Sequence, residues 1–200
     1  MDAGAYHHVM TATSGPGIDR LYFTGDDEAD RLLVSDPFAL LVGFALDQQV
    51  SVQKAFSGPL ELRRRIGDLD PERIAVMDPG ELEAAFRQRP ALHRFPGAMA
   101  KRVQALAAAI ADQYDGEAAR LWTHAADGAD LERRLLALPS IGEMKAASIM
   151  AILARRMQIG LPGLAERLPS HPTLGDVDSP EALAAYQEQK RARKAAMRGR

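Results

Sequence analysis

Two hundred residues with 46% hydrophobic content are enough to bury a core, as one large domain or as two small intertwined helical lobes. The net charge is −2 and cysteine is absent, which excludes disulfides, thiolate zinc sites and a cysteine-ligated iron–sulfur cluster. No apolar run approaches the roughly 18 to 20 residues that cross a bilayer, and the start, Met1-Asp2-Ala3-Gly4-Ala5-Tyr6-His7-His8, lacks the regions of a secretory signal, so a cytoplasmic protein off the membrane is expected.

Turn signals punctuate the chain at short intervals, and the apolar spacing between them is helical rather than alternating. The expected fold class is therefore all-α. The expected organisation is an N-terminal segment (1–35) lying on a helical domain (36–157), then a Gly/Pro-rich loop (158–178) and a C-terminal helix with a basic tail (179–200). Arg20-Leu21-Tyr22-Phe23-Thr24-Gly25 is the one extended piece. Asp36-Pro37 reads as an N-cap followed by proline at the first helical position, and opens a central buried helix over residues 38 to about 56, stopped by Gly58-Pro59. A short helix through Leu60, Leu62 and Ile66 follows.

Asp70-Pro71-Glu72 and Asp78-Pro79-Gly80-Glu81 repeat the cap-then-proline signature, with Glu81 placed as a capping-box partner of Asp78. Met99, Val103, Leu106, Ile110 and Tyr114 recur at three and four residues, predicting an amphipathic helix over 97–114 with Lys101 and Arg102 near its start. Helices near Gly116 and Asp127 come next. Residues 131–138 and 143–157 then form two helices joined by a very tight turn, and Ser179-Pro180-Glu181 opens the last helix. Within residues 187–200, six basic groups (Lys190, Arg191, Arg193, Lys194, Arg198 and Arg200) face Glu188 alone; with the overall −2, the remaining chain carries −7. Such a tail is either an electrostatic arm for phosphates or a solvated helix end.

The turn Leu138-Pro139-Ser140-Ile141-Gly142 has a physical reason to meet DNA. A tight turn feeding a helix points backbone N–H groups outward at the positive end of the helix dipole, which suits a phosphate oxygen. Gly142 lets a backbone approach or takes positive φ, Ile141 can anchor the turn, and Lys145 adds a charge one turn on. Contacts of this kind fix register without reading sequence. The same residues also suit an ordinary helix connection.

Leu138-Pro139-Ser140-Ile141-Gly142-Glu143-Met144-Lys145-Ala146 resembles the helix-hairpin-helix of the HhH-GPD superfamily of base-excision DNA glycosylases. Leu46-Asp47-Gln48-Gln49-Val50-Ser51-Val52 is similar to the segment carrying a Gln-Gln pair in its alkyl-base branch, and the likeness runs over residues 36–157. It implies a two-lobed helical fold around a cleft, double-stranded and damaged DNA as partner, a monomer, and a flipped-out nucleotide. It also implies DNA-binding roles for Gln48, Gln49, Pro139, Ser140, Ile141, Gly142, Met144 and Lys145. No cofactor is expected beyond a monovalent cation that hairpin carbonyls can hold in this family.

Two departures limit the likeness. The family's catalytic Asp would fall at Leu161-Pro162-Gly163, where no carboxylate exists; Glu166, Asp176 and Asp178 lie further on, and Asp176 is the candidate if residues 160–175 are an insertion. An ordinary turn or capping role for Asp176 is the alternative. Bifunctional members carry a catalytic lysine where this chain has Met144, so a Schiff-base lyase is not expected. The function expected is hydrolytic removal of a damaged base by a monofunctional glycosylase. The competing readings are a glycosylase-like DNA-binding or damage-recognition protein without chemistry, and a helical interaction module unrelated to DNA. Trp122, Tyr114 and Phe95 read as core, and the histidines show no metal-ligand spacing.

Overall fold

The computed structural model describes residues 18–198; the polar start with His7-His8, the first half of the N-terminal segment and Arg200 lie outside them. Among the described residues the chain is helical throughout, with no strand. The cap-then-proline signatures each open a helix because a carboxylate satisfies the first free N–H groups where proline has none to offer. Asp26 caps α1 (Asp27–Ser35), and Asp36 caps α2 (Pro37–Leu46) through the Phe38 and Ala39 N–H groups at 2.9 and 3.1 Å. Asp70 caps α4 (Pro71–Val76), and Asp78 caps α5 (Pro79–Arg87) through the Gly80 and Glu81 N–H groups. A capping box does occur, at Thr173 and Asp176.

The single buried helix expected over 38–56 is two. Phe38 to Leu46 are all buried, as an all-apolar helix must be, but the chain turns at Asp47 to Ser51: the Gln48 N–H bonds the Leu46 carbonyl at 2.7 Å and Gln49 adopts φ +55. Ser51 then caps α3 (Val52–Ile66) by accepting from the Lys54 N–H. Gly58-Pro59 stops nothing; Pro59 lies inside α3. Gly58 instead lets α3 approach α2, since a Cβ there would sit 2.5 Å from the Leu46 Cδ1. Residues 20–25 form no strand. Their backbone is held by α1, through the Asp30 carbonyl (from the Leu21 N–H, 3.1 Å) and the buried Asp30 carboxylate (from the Phe23 and Thr24 N–H groups, 3.0 Å each), and this inserts Leu21 and Phe23 into the core.

Beyond α5, α6 (Pro96–Tyr114) is the long amphipathic helix, with Tyr114 buried at its end. The helix expected near Gly116 is the one-turn α7 (Arg120–Thr123); α8 (Gly128–Leu136) is capped by Asp127, and α9 (Glu143–Arg155) follows the tight turn. The Gly/Pro-rich loop contains two 3-10 turns, Ala165–Arg167 and Leu174–Asp176, and α10 (Pro180–Arg198) closes the chain.

The helices fall into two packing groups: α1 to α3 with α4, α5 and α6, and α7 to α10 with the 3-10 turns. Their buried side chains form one continuous core. In the second group the Leu174–Asp176 turn is seated directly on α9. A Cβ at Gly175 would lie 2.5 Å from the Ala151 carbonyl carbon and 2.6 Å from its Cβ, and two backbones cannot both yield. Gly175→Ala is therefore expected to cost about 1–3 kcal/mol by overpacking, read as a lowered urea midpoint at unchanged slope. An unaltered midpoint would mean that the turn does not sit against α9.

Candidate nucleic-acid interface

The turn between α8 and α9 is built from its backbone outward. Leu138 and Ile141 are buried and hold it to the core, with the Ile141 N–H bonded to the Leu138 carbonyl. Positive φ falls on Ser140 (+69), not on Gly142, whose φ of −100 any residue accepts. Ser140 thus bears the strain that a glycine would relieve. Nothing in the protein lies within 4 Å of a Cβ at Gly142, so the glycine leaves exposed space in front of α9 rather than fitting internal packing. Gly142 is the N-cap of α9 and supplies no side-chain bond to its first turn.

Lys145 is half-buried and donates from Nζ to the Ser140 carbonyl at 3.1 Å, tying the strained residue down. Burial holds its pKa below the usual lysine value; Asp47 acts against that, and Arg102 adds to it. Lys145 occupies one acceptor position of the Ser140 carbonyl oxygen.

Gln48 and the hairpin, ninety residues apart in sequence, are brought together by the fold. Gln48, Ser140, Gly142, Glu143, Met144 and Lys145 line one shallow depression of about 470 Å³. Met144 is 78% exposed, an apolar side chain standing in solvent at its rim. Gln49 is exposed on the same turn, and Pro139 is half-buried behind Ser140. Beside the depression, sharing Met144 and Lys145 with it, lies a cleft of about 320 Å³ lined also by Phe44, Asp47, Ser148 and Tyr186.

Two residues fix this geometry through contacts with Gln48 that nothing in the sequence marks. His93, buried at 2% exposure before α6, accepts the Phe95 N–H on Nδ1 at 3.1 Å, which leaves the proton on Nε2 to be donated to the Gln48 carbonyl at 2.8 Å. Arg102 of α6 donates to the Gln48 side-chain oxygen. Neither partner is at a helical spacing from Gln48, so only the three-dimensional fold shows them. Phe95, expected in the core, is 43% exposed under the Arg94 guanidinium, 4.9 Å from its ring centroid, because its backbone is spent on His93. Trp122 and Tyr114 are buried as expected.

The Asp176 carboxylate is engaged elsewhere. One oxygen accepts from the Thr173 N–H at 2.7 Å and hydroxyl at 3.2 Å, and the other pairs with Arg155. Its neighbours Thr173 and Leu174 line the cleft, while Glu166 is exposed on its 3-10 turn. Residues 161–163, where the family's carboxylate would stand, are docked on the start of α8 through the Pro162 carbonyl, bonded by the Gly128 N–H at 2.8 Å. The carboxylate that does line the cleft is Asp47, at the end of α2.

Burial holds the His93 pKa below its ordinary 6.5, so below that pH the unfolded chain binds a proton more readily than the folded one. The stability contributed by the neutral ring is complete above about pH 6.5 and is lost as the pH falls through and below it. Urea unfolding between pH 7.5 and 5 should show this loss, and His93→Gln should be less stable at pH 7.5 by about 1–3 kcal/mol with a shallower acid decline. Equal acid declines in both proteins would show that His93 does not stay neutral in the fold.

Neither the curated proteins nor the solved structures contain a match to this chain. The family model described as HhH-GPD superfamily base excision DNA repair protein matches residues 42–171, well over half of the chain, and spans the Gln48 turn, α6, the hairpin and α9. The chain belongs to the HhH-GPD superfamily of base-excision DNA repair proteins.

Proposed function

We propose that the protein binds damaged double-stranded DNA through the α8–α9 hairpin and hydrolyses the glycosidic bond of an extruded nucleotide, as a monofunctional glycosylase of the alkyl-base type. The observation that carries this reading is the shared lining of the Gln48–hairpin depression and the Asp47–Lys145 cleft. A strand whose phosphate rests on the free first turn of α9 has the cleft beside it, and a nucleotide must leave the stack before its glycosidic carbon can be reached. Gln48 and Gln49 then stand at the gap left in the duplex, with Met144 as an apolar neighbour of the extruded sugar.

In this reading Asp47 replaces Asp176 as the working carboxylate. As the bond between C1′ and the base nitrogen breaks, the pair of electrons leaves with the base, positive charge grows on the sugar, and a carboxylate facing the cleft stabilises it while water adds at C1′; the water gives up one proton and the departing base takes one up. Asp176 acts as a brace between α9 and the 3-10 turn. Lys145 is committed to the Ser140 carbonyl and serves the hairpin rather than a covalent step. The engaged state of Asp176 and the lack of a carboxylate at residues 161–163 favour the second reading, a protein that binds damage without excising it.

Duplexes carrying hypoxanthine, uracil, alkylated or oxidised bases, incubated with the protein and then cleaved with alkali, separate the two. Strand breaks with one lesion that vanish in Asp47→Asn support excision; breaks that survive it and vanish in Asp176→Asn return the role to Asp176. Duplex binding with no breaks at any lesion selects recognition without chemistry. For the hairpin, Gly142→Arg and Lys145→Glu should each weaken duplex binding about tenfold whatever the sequence, since phosphate contacts are sequence-independent. Unchanged affinity in both would remove the hairpin from the interface.

A further inference from the structure

The family match ends at residue 171, and α10 begins nine residues later, yet α10 supplies one wall of the cleft. Tyr186 and Lys190 line it together with Met144, Lys145 and Ser148 of α9. The helix is fastened there by three contacts. Leu183 is buried, α10 packs on the Leu174–Asp176 turn, and Gln187 donates to the Gln53 side-chain oxygen at 2.8 Å, which joins α10 to the start of α3. Past Gln187 the helix leaves the core. Lys190 and Arg191 are exposed, and both also line the groove running from the cleft along Val50, Ser51 and Gln53. In sequence the same four-residue step leads from Lys190 to Lys194 and Arg198.

Lys190, the first basic residue of the tail, therefore stands in the cleft lining, and Arg191 follows it along the groove beside Val50 and Ser51. Two lysines, Lys145 and Lys190, line the cleft together with the Asp47 carboxylate. That charge balance suits a ligand with its phosphate attached rather than a bare base.

We infer that α10 is a second DNA-contacting element, in which Lys190 neutralises the phosphate flanking the extruded nucleotide and Arg191 the next one along the groove. The inference rests on duplex DNA being the ligand of the hairpin. It assigns the basic tail a place in the interface that the matched domain leaves open, and it makes the footprint run from the hairpin across the cleft to α10.

The test measures duplex affinity of the full-length protein by anisotropy between about 50 and 200 mM salt, on a plain duplex and on one with an unpaired, extrahelical nucleotide. Compared are the unaltered protein, Lys190→Gln, Lys190→Arg, Arg191→Gln and Gly142→Arg. Lys190→Gln and Arg191→Gln should each make the slope of log affinity against log salt shallower by about 0.9, with Lys190→Arg restoring it. The loss in Lys190→Gln should be larger on the extrahelical duplex, because Lys190 lines the cleft. Gly142→Arg should weaken both duplexes alike. Affinity and slope unchanged in the Lys190 and Arg191 variants, with Gly142→Arg weakened, would overturn the α10 assignment and leave the hairpin reading standing. No duplex binding by the unaltered protein would overturn both. Both side chains are exposed, so folding is not at stake in these variants.

Discussion

The backbone carbonyl of Gln48 receives a proton from a buried imidazole, and the geometry on either side depends on that bond. Without it, α2 would have no fixed end. Nine consecutive buried residues, Phe38 to Leu46, give the helix every reason to continue and no side chain with which to stop. His93 turns the chain outward at the place where a left-handed Gln49 and the Ser51 cap can start α3, and Arg102 holds the Gln48 side chain from the same direction. The Asp47 carboxylate is delivered to the cleft as a consequence. A neutral ring is required there, since a charged one would have no acceptor on Nδ1 and would meet the Phe95 N–H head on.

The opposite wall is arranged on a different physical basis. Ser140 stores conformational strain in the hairpin, and the Lys145 ammonium compensates by gripping its carbonyl from within α9. Burial pushes that lysine towards its neutral form, while the Asp47 carboxylate of the other wall favours the charged one. The cleft is thus bounded by one wall held by a hydrogen bond to backbone and another held by a side chain reaching backward to its own turn.

Much of this is legible in the sequence, for local reasons. Asp36-Pro37, Asp70-Pro71 and Asp78-Pro79 each name a helix start because cap and proline act within four residues. Leu138 to Gly142 shows its turn and its register for the same reason. The features that escape a sequence reading are long-range. Gly58-Pro59 looks like a stop in isolation, yet Gly58 answers to Leu46 on another helix, and Phe38 to Phe56 looks like one helix until His93, some forty residues away, bends it. Residues 20–25 read as extended because their partner, Asp30, acts through a helix backbone and a buried carboxylate. Order along the chain points to Asp176, but order carries no information about which neighbours a carboxylate meets. Asp47 sits in plain view beside the Gln-Gln pair, with nothing in its spacing to mark it as facing a cleft.

Gly175 seats the Leu174–Asp176 turn against α9, and α10 is fastened to that turn and to α3. The stretch shared with the family and the stretch that encloses the cleft are consequently of different lengths. Of the residues that line the cleft, Pro172, Thr173, Leu174, Tyr186 and Lys190 fall beyond the shared stretch. Divergence among members of such a family can then proceed by changing the segment beyond the shared helices, leaving the hairpin untouched while the compartment beside it is rebuilt.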